Sequence, residues 1–337
     1  MSNLDSRSMT LRYLVDSKTA VHWQKYAFLE EIKRTGGIEQ APGSDQIDRI
    51  VVLDDPHVST LLSTGYEALN LTTGDTSTDA KYTHTRIVHP IIVSNKSLDE
   101  NNGKLKVASV IEKRSDAAMI QFMKRINQHI LVGNGTATYA QLNTLNGQAG
   151  ITAVNDGFLE PLARAAQVNT VGGINKGAVG EGWKNAFGDA NNAFLTDGRA
   201  AMDDVWTQVA AFGQSAGKKF IISSLPAFRN YKSVLFAQER YIDQKSLDGG
   251  VMRLLYDGQP LALDPAMDFS TFGTQISMYF LDADAIKLVM LKNKFFEASK
   301  FIEHPSYDSQ IAKLYWNGQL IADALAPCGV LIDGDTP

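Results

Sequence analysis

The chain has 337 residues, of which 44% are hydrophobic and 20% are charged, and it contains 27 Gly and 10 Pro. This composition is typical of a folded protein with two or three sub-domains, and it excludes a disordered or collagen-like chain. The 32 Lys and Arg against 37 Asp and Glu give a net charge of −5, which argues against tight nucleic-acid binding over the whole surface.

Residues 1–41 are polar except for one patch, which predicts a helix of about four turns. Apolar residues recur at helical spacing in HWQKYAFLEEIKRT and just before it, namely Val21, Trp23, Ala27, Phe28, Leu29 and Ile32. Gly36 and Gly37 follow, as glycines that end helices do. Two interpretations stay open: a helix on a loosely anchored arm, or the first helix of a globular domain. The sequence has no apolar run of signal or bilayer length, so we predict neither export nor a membrane span.

The next segments predict extended structure. DRIVVLD, residues 48–54, predicts a short buried strand. RIVHPIIVSNKSL clusters Val and Ile around Pro90, and the turn Asp99–Gly103 then leads to KLKVASVI. Two extended arms joined by a polar turn predict a long hairpin within residues 65–106. Because few of these residues could fill a core, we expect the hairpin to project or to lie on another surface.

The clearest predicted helix covers EKRSDAAMIQFMKRINQHILVGNG. Ser109 and Glu112 stand at the spacing of a capping box, and Gly133 follows the last apolar residue. One face carries an apolar stripe made of Met119, Phe122, Met123, Ile126 and Ile130. A helix of about 20 residues is a rod of roughly 30 Å.

The rest of the chain predicts a Gly/Asn-rich loop, then alternating elements, then strands. FLTDGRAAMDDVWTQVAAF predicts a helix, Lys218–Ser224 a buried strand, and PAFRNYKSVLF a second helix with Pro226 in its first turn. From about Gly250 most segments are extended. The fold class is therefore α+β, with extended segments that are long for a compact enzyme.

Candidate catalytic motifs lack the context that their chemistry requires. Ser215 lies in GQSAG, which matches G-x-S-x-G, but a helix precedes it and a strand follows, the reverse of a nucleophile elbow. His84 and His89 are five residues apart on an extended segment, so they face opposite sides and are poorly placed to share a metal. The single cysteine, Cys328, excludes a disulfide framework and a cysteine-based zinc site. We predict no catalytic residue, cofactor or metal, and keep a serine hydrolase using Ser215 as the weakest alternative.

Several segments occur in an order that is similar to one protein family. The long helix with LNTLNGQAGIT looks like that family's spine helix and the turn after it, and TVGGINKGAVGEGW looks like its GGI…W loop. DDVWTQVAAFGQSAGKKFIISSLPAFRNYKSVLFAQERYID resembles the helix–strand–helix of its axial domain. DGQPLALDPAMD and QLIADALAPCGVL resemble a later strand and the closing strand of its peripheral domain. In these segments the chain resembles the major capsid (coat) protein of tailed double-stranded-DNA bacteriophages, with the Hong Kong 97-type fold.

The resemblance implies a division of the chain into parts. Residues 1–49 would form an N-terminal arm, and residues 50–106 a strand and an extended hairpin loop. Residues 107–149 would form the peripheral domain with its spine helix, residues 150–283 the axial domain, and residues 284–337 the closing strands of the peripheral domain.

The resemblance also implies a function and partners. The chain would self-assemble as pentamers and hexamers into an icosahedral shell that encloses a packaged double-stranded DNA genome and matures by expansion. It would be assembled in the host bacterial cytoplasm, with a portal, a separate scaffolding protein, a decoration protein and non-specific DNA contacts as partners. An encapsulin-like compartment shell, which shares the fold, is the main alternative. The expected inter-subunit contacts are Trp23, Phe28, Ile32, Lys81, Tyr82, Arg86, Lys104 and Lys106.

Overall fold

The computed structural model describes residues 11, 26–43, 46–52, 77–100, 104–132, 145, 157–190, 194–212, 218–237, 253–268, 276–292 and 296–333. Its helices are α1 (Ala27–Arg34), α2 (Asn95–Glu100), α3 (Lys104–Leu131), α4 (Phe194–Phe212) and α5 (Leu225–Ala237). The first strands are β1 (Ile38–Ala41), β2 (Gln46–Val52), β3 (Ser77–Thr83), β4 (Thr85–Ser94), β5 (Thr170–Val171), β6 (Ile174–Asn175), β7 (Ala186–Asp189) and β8 (Lys219–Ser223). The later strands are β9 (Arg253–Tyr256), β10 (Gln259–Leu263), β11 (Ile276–Asp282), β12 (Ile286–Leu291), β13 (Glu297–Ala298), β14 (Ile302–Glu303), β15 (Ser309–Ala322) and β16 (Gly329–Ile332).

Two six-stranded sheets organise the described residues. In the first sheet the long strand β15 pairs with β4 along one edge and with β12, β13 and β14 in turn along the other, and β1 pairs in parallel with β12. The second sheet has the order β7-β16-β11-β8-β10-β9. A separate two-stranded ribbon pairs β2 with β3, and a smaller one pairs β5 with β6.

The long helix α3 packs against β4 of the first sheet. Its 28 residues make a rod of about 42 Å, so it is longer than the sequence predicted. The predicted apolar stripe is confirmed, because Met119, Phe122, Met123, Ile126 and Ile130 are all buried. The Phe122 ring lies 5.8 Å from the His89 ring of β4 and 5.7 Å from the Phe296 ring. The predicted capping box is wrong, since Ser109 lies inside the helix and not at its start.

The predicted hairpin arms do not pair with each other. KLKVASVI forms the first turns of α3, because Val107 and Ile111 continue the helical spacing of the stripe that follows. The strand β4 instead pairs with β15 over its whole length, from Ser94↔Ser309 to Thr85↔Gly318. A ribbon does exist, but it joins β2 to β3. The strand β2 is also not fully buried as predicted, since its residues alternate between a buried and an exposed face.

The helix α1 belongs to the core of the subunit. It has two turns and not four, and Phe28 and Ile32 are buried in the main hydrophobic cluster. Gly36, with φ of 80°, ends it, and the carbonyl of Gly37 accepts a hydrogen bond of 2.8 Å from the Leu288 amide. Within residues 26–43 the interpretation as the first helix of a globular domain is therefore the one that holds. Trp23 lies outside the described residues.

The second sheet is buried on both faces. The predicted helices α4 and α5 and the predicted strand β8 are confirmed. Successive β8 residues join different clusters: Ile221 packs with α4 and α5, whereas Phe220 and Ile222 join the cluster that contains α3. β7 was not predicted, because it lies in a Gly/Asn-rich segment. β16 pairs in this sheet, between β7 and β11, so residues 284–337, which are expected to form the closing strands of the peripheral domain, contribute strands to both sheets.

Asp264 is buried where α1, α3 and the second sheet meet. Its Oδ2 accepts a hydrogen bond of 3.2 Å from the Phe28 amide at the start of α1. Its two oxygens accept bonds of 2.9 and 3.0 Å from Asn127 Nδ2 on α3. The Ala266 amide donates a further bond of 3.0 Å to Oδ1. One carboxylate therefore joins three parts of the subunit.

Gly188→Ala is expected to destabilise the subunit. An added Cβ on β7 would overlap with Val205 Cγ2 and would lie 2.9 Å from the Ala201 carbonyl oxygen, so α4 would have to move. We expect the free energy of unfolding to fall by about 1–3 kcal/mol in a urea titration. The matched control is Gly182→Ala, where nothing lies within 4 Å and we expect a change within about 0.5 kcal/mol. Equal stability of the two variants would contradict this packing.

Candidate assembly surface

The β2–β3 ribbon has one face against the subunit and one face in solvent. The apolar residues Ile47, Val51, Ala80 and Tyr82 are buried, whereas Ile50 is exposed. Residues 53–76, which join the two strands, lie outside the described residues. The ribbon therefore presents an outer surface that the rest of the described subunit does not cover.

Three sets of contacts hold the base of the ribbon. The Tyr82 hydroxyl donates a hydrogen bond of 3.1 Å to the Ala322 carbonyl at the end of β15. The Lys81 amide donates one of 2.8 Å to the carbonyl of Gly172, and a Cβ at Gly172 would lie 2.9 Å from the Ala80 Cβ. Because these contacts come from two distant parts of the chain, they fix the direction in which the ribbon leaves the subunit.

Charged side chains form the third contact. Arg49 Nη2 on β2 lies 2.5 Å from Glu39 Oε2 on β1, and Arg49 Nε lies 3.5 Å from Asp323 Oδ1. Asp323 Oδ2 also accepts a hydrogen bond of 2.7 Å from Lys287 Nζ. All four side chains are partly exposed, so we expect each pair to contribute modestly to stability and to weaken with salt.

The outer face of the first sheet carries an apolar ladder. Ile92 on β4 pairs with Ile311 on β15, which pairs with Ile302 on β14, and Val88 pairs with Tyr315. Val88, Ile92 and Ile302 are 45%, 53% and 56% exposed. Directly opposed side chains on one sheet face lie close together, so these residues form one continuous surface, which we call the outer ladder.

The rim of the outer ladder is polar and aromatic. The Arg86 guanidinium lies 4.2 Å from the centre of the Tyr315 ring, and Lys313 is exposed between the ladder residues of β15. Tyr307 is 72% exposed in the turn between β14 and β15, where His304 Nδ1 accepts hydrogen bonds from two amides. The outer ladder is therefore mostly apolar, with Lys313 among its residues and a charged and aromatic rim, and such a mixture suits a protein–protein contact surface.

The residues expected at subunit contacts are not all at the surface. Phe28, Ile32 and Tyr82 are buried within their own chain, so their side chains cannot reach a neighbour, and these three expectations are wrong. Their apolar character was read correctly, but their own subunit covers them. Lys81 and Arg86 are exposed, as an inter-subunit role requires.

For the other expected contacts the structure gives only the backbone position or no position. Lys104 and Lys106 lie in the first turn of α3, and Trp23 lies outside the described residues. The outer ladder itself was not predicted. Its signal is the alternation of exposed residues in TRIVHPIIVS, which becomes interpretable only when β15 is known to be the partner of β4.

The candidate chemical groups lie in environments that do not favour reaction. Burial lowers the pKa of His84, and burial together with the charge of Arg125 lowers the pKa of His89, so their surroundings favour the neutral form of both side chains. Burial raises the pKa of the Cys328 thiol to about 12, far from the range of a nucleophile. Within the described ranges no three His, Cys, Asp or Glu side chains are grouped to hold a metal ion. Ser215 lies outside those ranges.

No helix in the described part of the chain has an apolar stretch long enough to cross a membrane.

The fold is shared with solved structures of shell proteins. The Cyanophage A-1(L) capsid asymmetric unit contains a chain with 16% identity and a TM-score of 0.58, covering 88% of this chain and 90% of that one. A chain of the capsid of an empty GTA particle has 13% identity and a TM-score of 0.55, covering 90% and 89%. The holo-SrpI encapsulin complex from Synechococcus elongatus PCC 7942 contains a chain with 10% identity and a TM-score of 0.53, covering 89% and 86%. These likenesses confirm the predicted α+β fold of tailed-phage capsid proteins.

No protein-family model matches this sequence, and no curated protein is significantly similar to it.

Proposed function

We propose that this chain is the major capsid protein of a tailed double-stranded-DNA bacteriophage. Its function is association: copies build an icosahedral shell around a packaged genome, and the subunit has a structural and not a catalytic role. The outer ladder carries this proposal, because a single subunit leaves Val88, Ile92 and Ile302 in water. Apolar surface of this kind gains free energy when a second protein surface covers it. The capsid fold makes further copies of the same chain the natural cover.

The assembly would consist of pentamers and hexamers held by many repeated contacts. Each contact can be weak, because every subunit touches several neighbours and a closed shell multiplies the effect. The β2–β3 ribbon suits this role, since its base is fixed to the subunit while Ile50 and Lys81 face outward. Arg86, Trp23, Lys104 and Lys106 remain candidate contacts.

Other partners follow from the proposed shell. A portal, a separate scaffolding protein and a decoration protein would join it in the host cytoplasm, and the shell would become part of the virion. Contact with DNA would be weak and non-specific, because phosphate binding grows with the number of Lys and Arg contacts and this chain has a net charge of −5.

Sedimentation of the purified chain tests the proposal. We expect capsomer rings or closed shells in a velocity experiment, at a concentration and salt where a globular chain of 36.8 kDa would stay monomeric. Electron microscopy of the fast fraction should show closed particles. A chain that stays monomeric at every concentration and salt, alone or with a scaffolding protein, would overturn the proposal.

An encapsulin-like compartment shell is the second candidate, because the encapsulin structure shares this fold at similar coverage. The two candidates differ in cargo. Particles isolated from phage-producing cells and treated with nuclease should retain protected double-stranded DNA if the chain is a phage capsid protein. Empty or enzyme-filled particles without protected DNA would favour the compartment.

A further inference from the structure

A fully buried lysine, asparagine and glutamate meet in the segment between α3 and α4. Lys176, Asn185 and Glu160 each have 0% of their surface exposed. Lys176 Nζ lies 3.0 Å from Asn185 Oδ1 and 3.4 Å from Glu160 Oε1. The same nitrogen donates a hydrogen bond of 2.7 Å to the Phe158 carbonyl. The amine is therefore held in hydrogen-bond contact with the side-chain amide of Asn185, with a carboxylate beside it.

We propose that Lys176 and Asn185 join in an isopeptide bond within one chain, with Glu160 as the proton-transfer group. The geometry supplies what the reaction needs. The fold holds the nucleophile and the amide in contact. In well-oriented reactions of this kind the effective concentration of one group near the other can reach about 10⁵ M or more. The site excludes water, so neither the amide nor an intermediate is exposed to hydrolysis.

The reaction balances without a further reagent. The Glu160 carboxylate takes a proton from the Lys176 ammonium, which leaves a neutral amine that attacks Cγ of Asn185. The C–N bond to Nδ2 then breaks as Glu160 gives its proton to the leaving nitrogen. Glu160 next takes the remaining extra proton from the attacking nitrogen and passes it to the released ammonia. Lys–NH₃⁺ and Asn–CONH₂ thus become Lys–NH–CO–Asn and one ammonium ion, and Glu160 is again a carboxylate.

The backbone supports both charged stages of this sequence. The Glu160 amide donates a hydrogen bond of 2.9 Å to Asn185 Oδ1, where negative charge develops during the attack. The amides of Val168 and Asn169 donate bonds of 3.1 and 2.7 Å to the Glu160 carboxylate. These two donors stabilise the Glu160 carboxylate before the proton transfer, and again in the product, where Lys176 carries no charge. A buried ion pair without reaction would lose several kcal/mol to desolvation and gain no covalent link.

The Asn185 amide is also held in one orientation. Its Nδ2 donates bonds of 3.0 and 2.9 Å to the carbonyls of Glu160 and Ala186. Gln167 closes the other side, since its Oε1 accepts a bond of 3.0 Å from the Asn185 amide nitrogen of the backbone. The resulting link would staple Lys176 to the start of β7, which opens the second sheet.

Intact mass spectrometry of the denatured full-length chain tests the proposal. We expect a mass lower than that of the sequence by one ammonia. Trypsin should then release a branched peptide in which residues 165–184 are joined to residues 185–199, with no cleavage after the acylated Lys176. Fragmentation of that peptide locates the bond.

Two variants serve as comparison. Glu160→Gln keeps the shape of the side chain and one of its two oxygen acceptors but cannot take the proton, so the chain should have its full mass. Lys287→Met removes a lysine elsewhere and should leave the loss of ammonia unchanged. The proposal would be overturned if the folded wild-type chain had the full mass calculated from its sequence, or if Glu160→Gln still lost one ammonia.

Discussion

Asp264→Ala is expected to lower the free energy of unfolding of the subunit by about 3–5 kcal/mol. The substitution removes the acceptor for the Phe28 amide, the Asn127 side-chain amide and the Ala266 amide. These donors are buried, so water cannot replace the lost partner without opening the site. The loss of stability is larger than for one hydrogen bond because three buried donors lose their acceptor at the same time.

A urea titration followed by tryptophan fluorescence measures this effect, at a protein concentration below that at which shells form. Asp264→Asn keeps one oxygen acceptor and should lose less stability than Asp264→Ala. Asp308→Ala is the matched control, because Asp308 is exposed and accepts its hydrogen bond from Asn95 at the surface. If Asp264→Ala and Asp308→Ala are equally stable, Asp264 does not join the parts of the subunit as described.

Ile92→Asp combined with Val88→Asp is expected to abolish shell formation while the subunit stays folded. Both side chains are exposed in the single subunit, so a charge costs little there. At a contact between copies the same charge has to be desolvated without a partner. A loss of about 1.4 kcal/mol at each contact weakens that contact tenfold, and each subunit makes several contacts. We therefore expect more than a tenfold fall in sedimentable particles.

The experiment compares the sedimenting fraction with thermal unfolding of the same samples. Ile92→Val, which keeps the apolar surface, is the matched control and should form shells in the normal amount. Normal shells from the double Asp variant would exclude the outer ladder as a contact and leave the ribbon as the candidate. If the double Asp variant is aggregated or unfolded, as its unfolding profile would show, the result would contradict the exposure of Val88 and Ile92 in the single subunit.

The elements set by local spacing were predicted well from the sequence. The stripe of α3 and the elements α4, β8 and α5 have periodicities that only one kind of structure satisfies. KLKVASVI is different, because alternation in its first residues fits a strand as well as a helix. What decides between helix and strand is that its apolar residues continue the stripe of α3. The polar turn before KLKVASVI favoured a hairpin, so this continuity was not recognised.

Long-range pairing was beyond local reasoning. β4 pairs with β15 far along the chain, and β16 returns to the second sheet where Gly329 allows Val205 to approach closely. No spacing rule connects such segments. The same limit applies to the contact surface: the sequence identifies Phe28 and Tyr82 as apolar, but not which molecule covers them.

The buried triad was missed for a related reason. Lys176 and Asn185 are single polar residues in a segment rich in Gly and Asn, and such segments are typical of solvated loops, while Glu160 is an isolated acidic residue before that segment. Only their convergence at hydrogen-bond distance distinguishes them from surface residues.

The helix α3 is attached to two sheets at different points along its length. Phe122 contacts the His89 ring of the first sheet. Asn127 donates a hydrogen bond to Asp264, directly after β10, and the Leu131 carbonyl accepts one from Tyr279 of the second sheet. If the two sheets tilt relative to each other, α3 cannot slide and has to curve between Phe122 and Asn127. Bending that short stretch of helix costs energy, so it opposes the tilt and returns the two sheets to their original angle when the force on the subunit is removed.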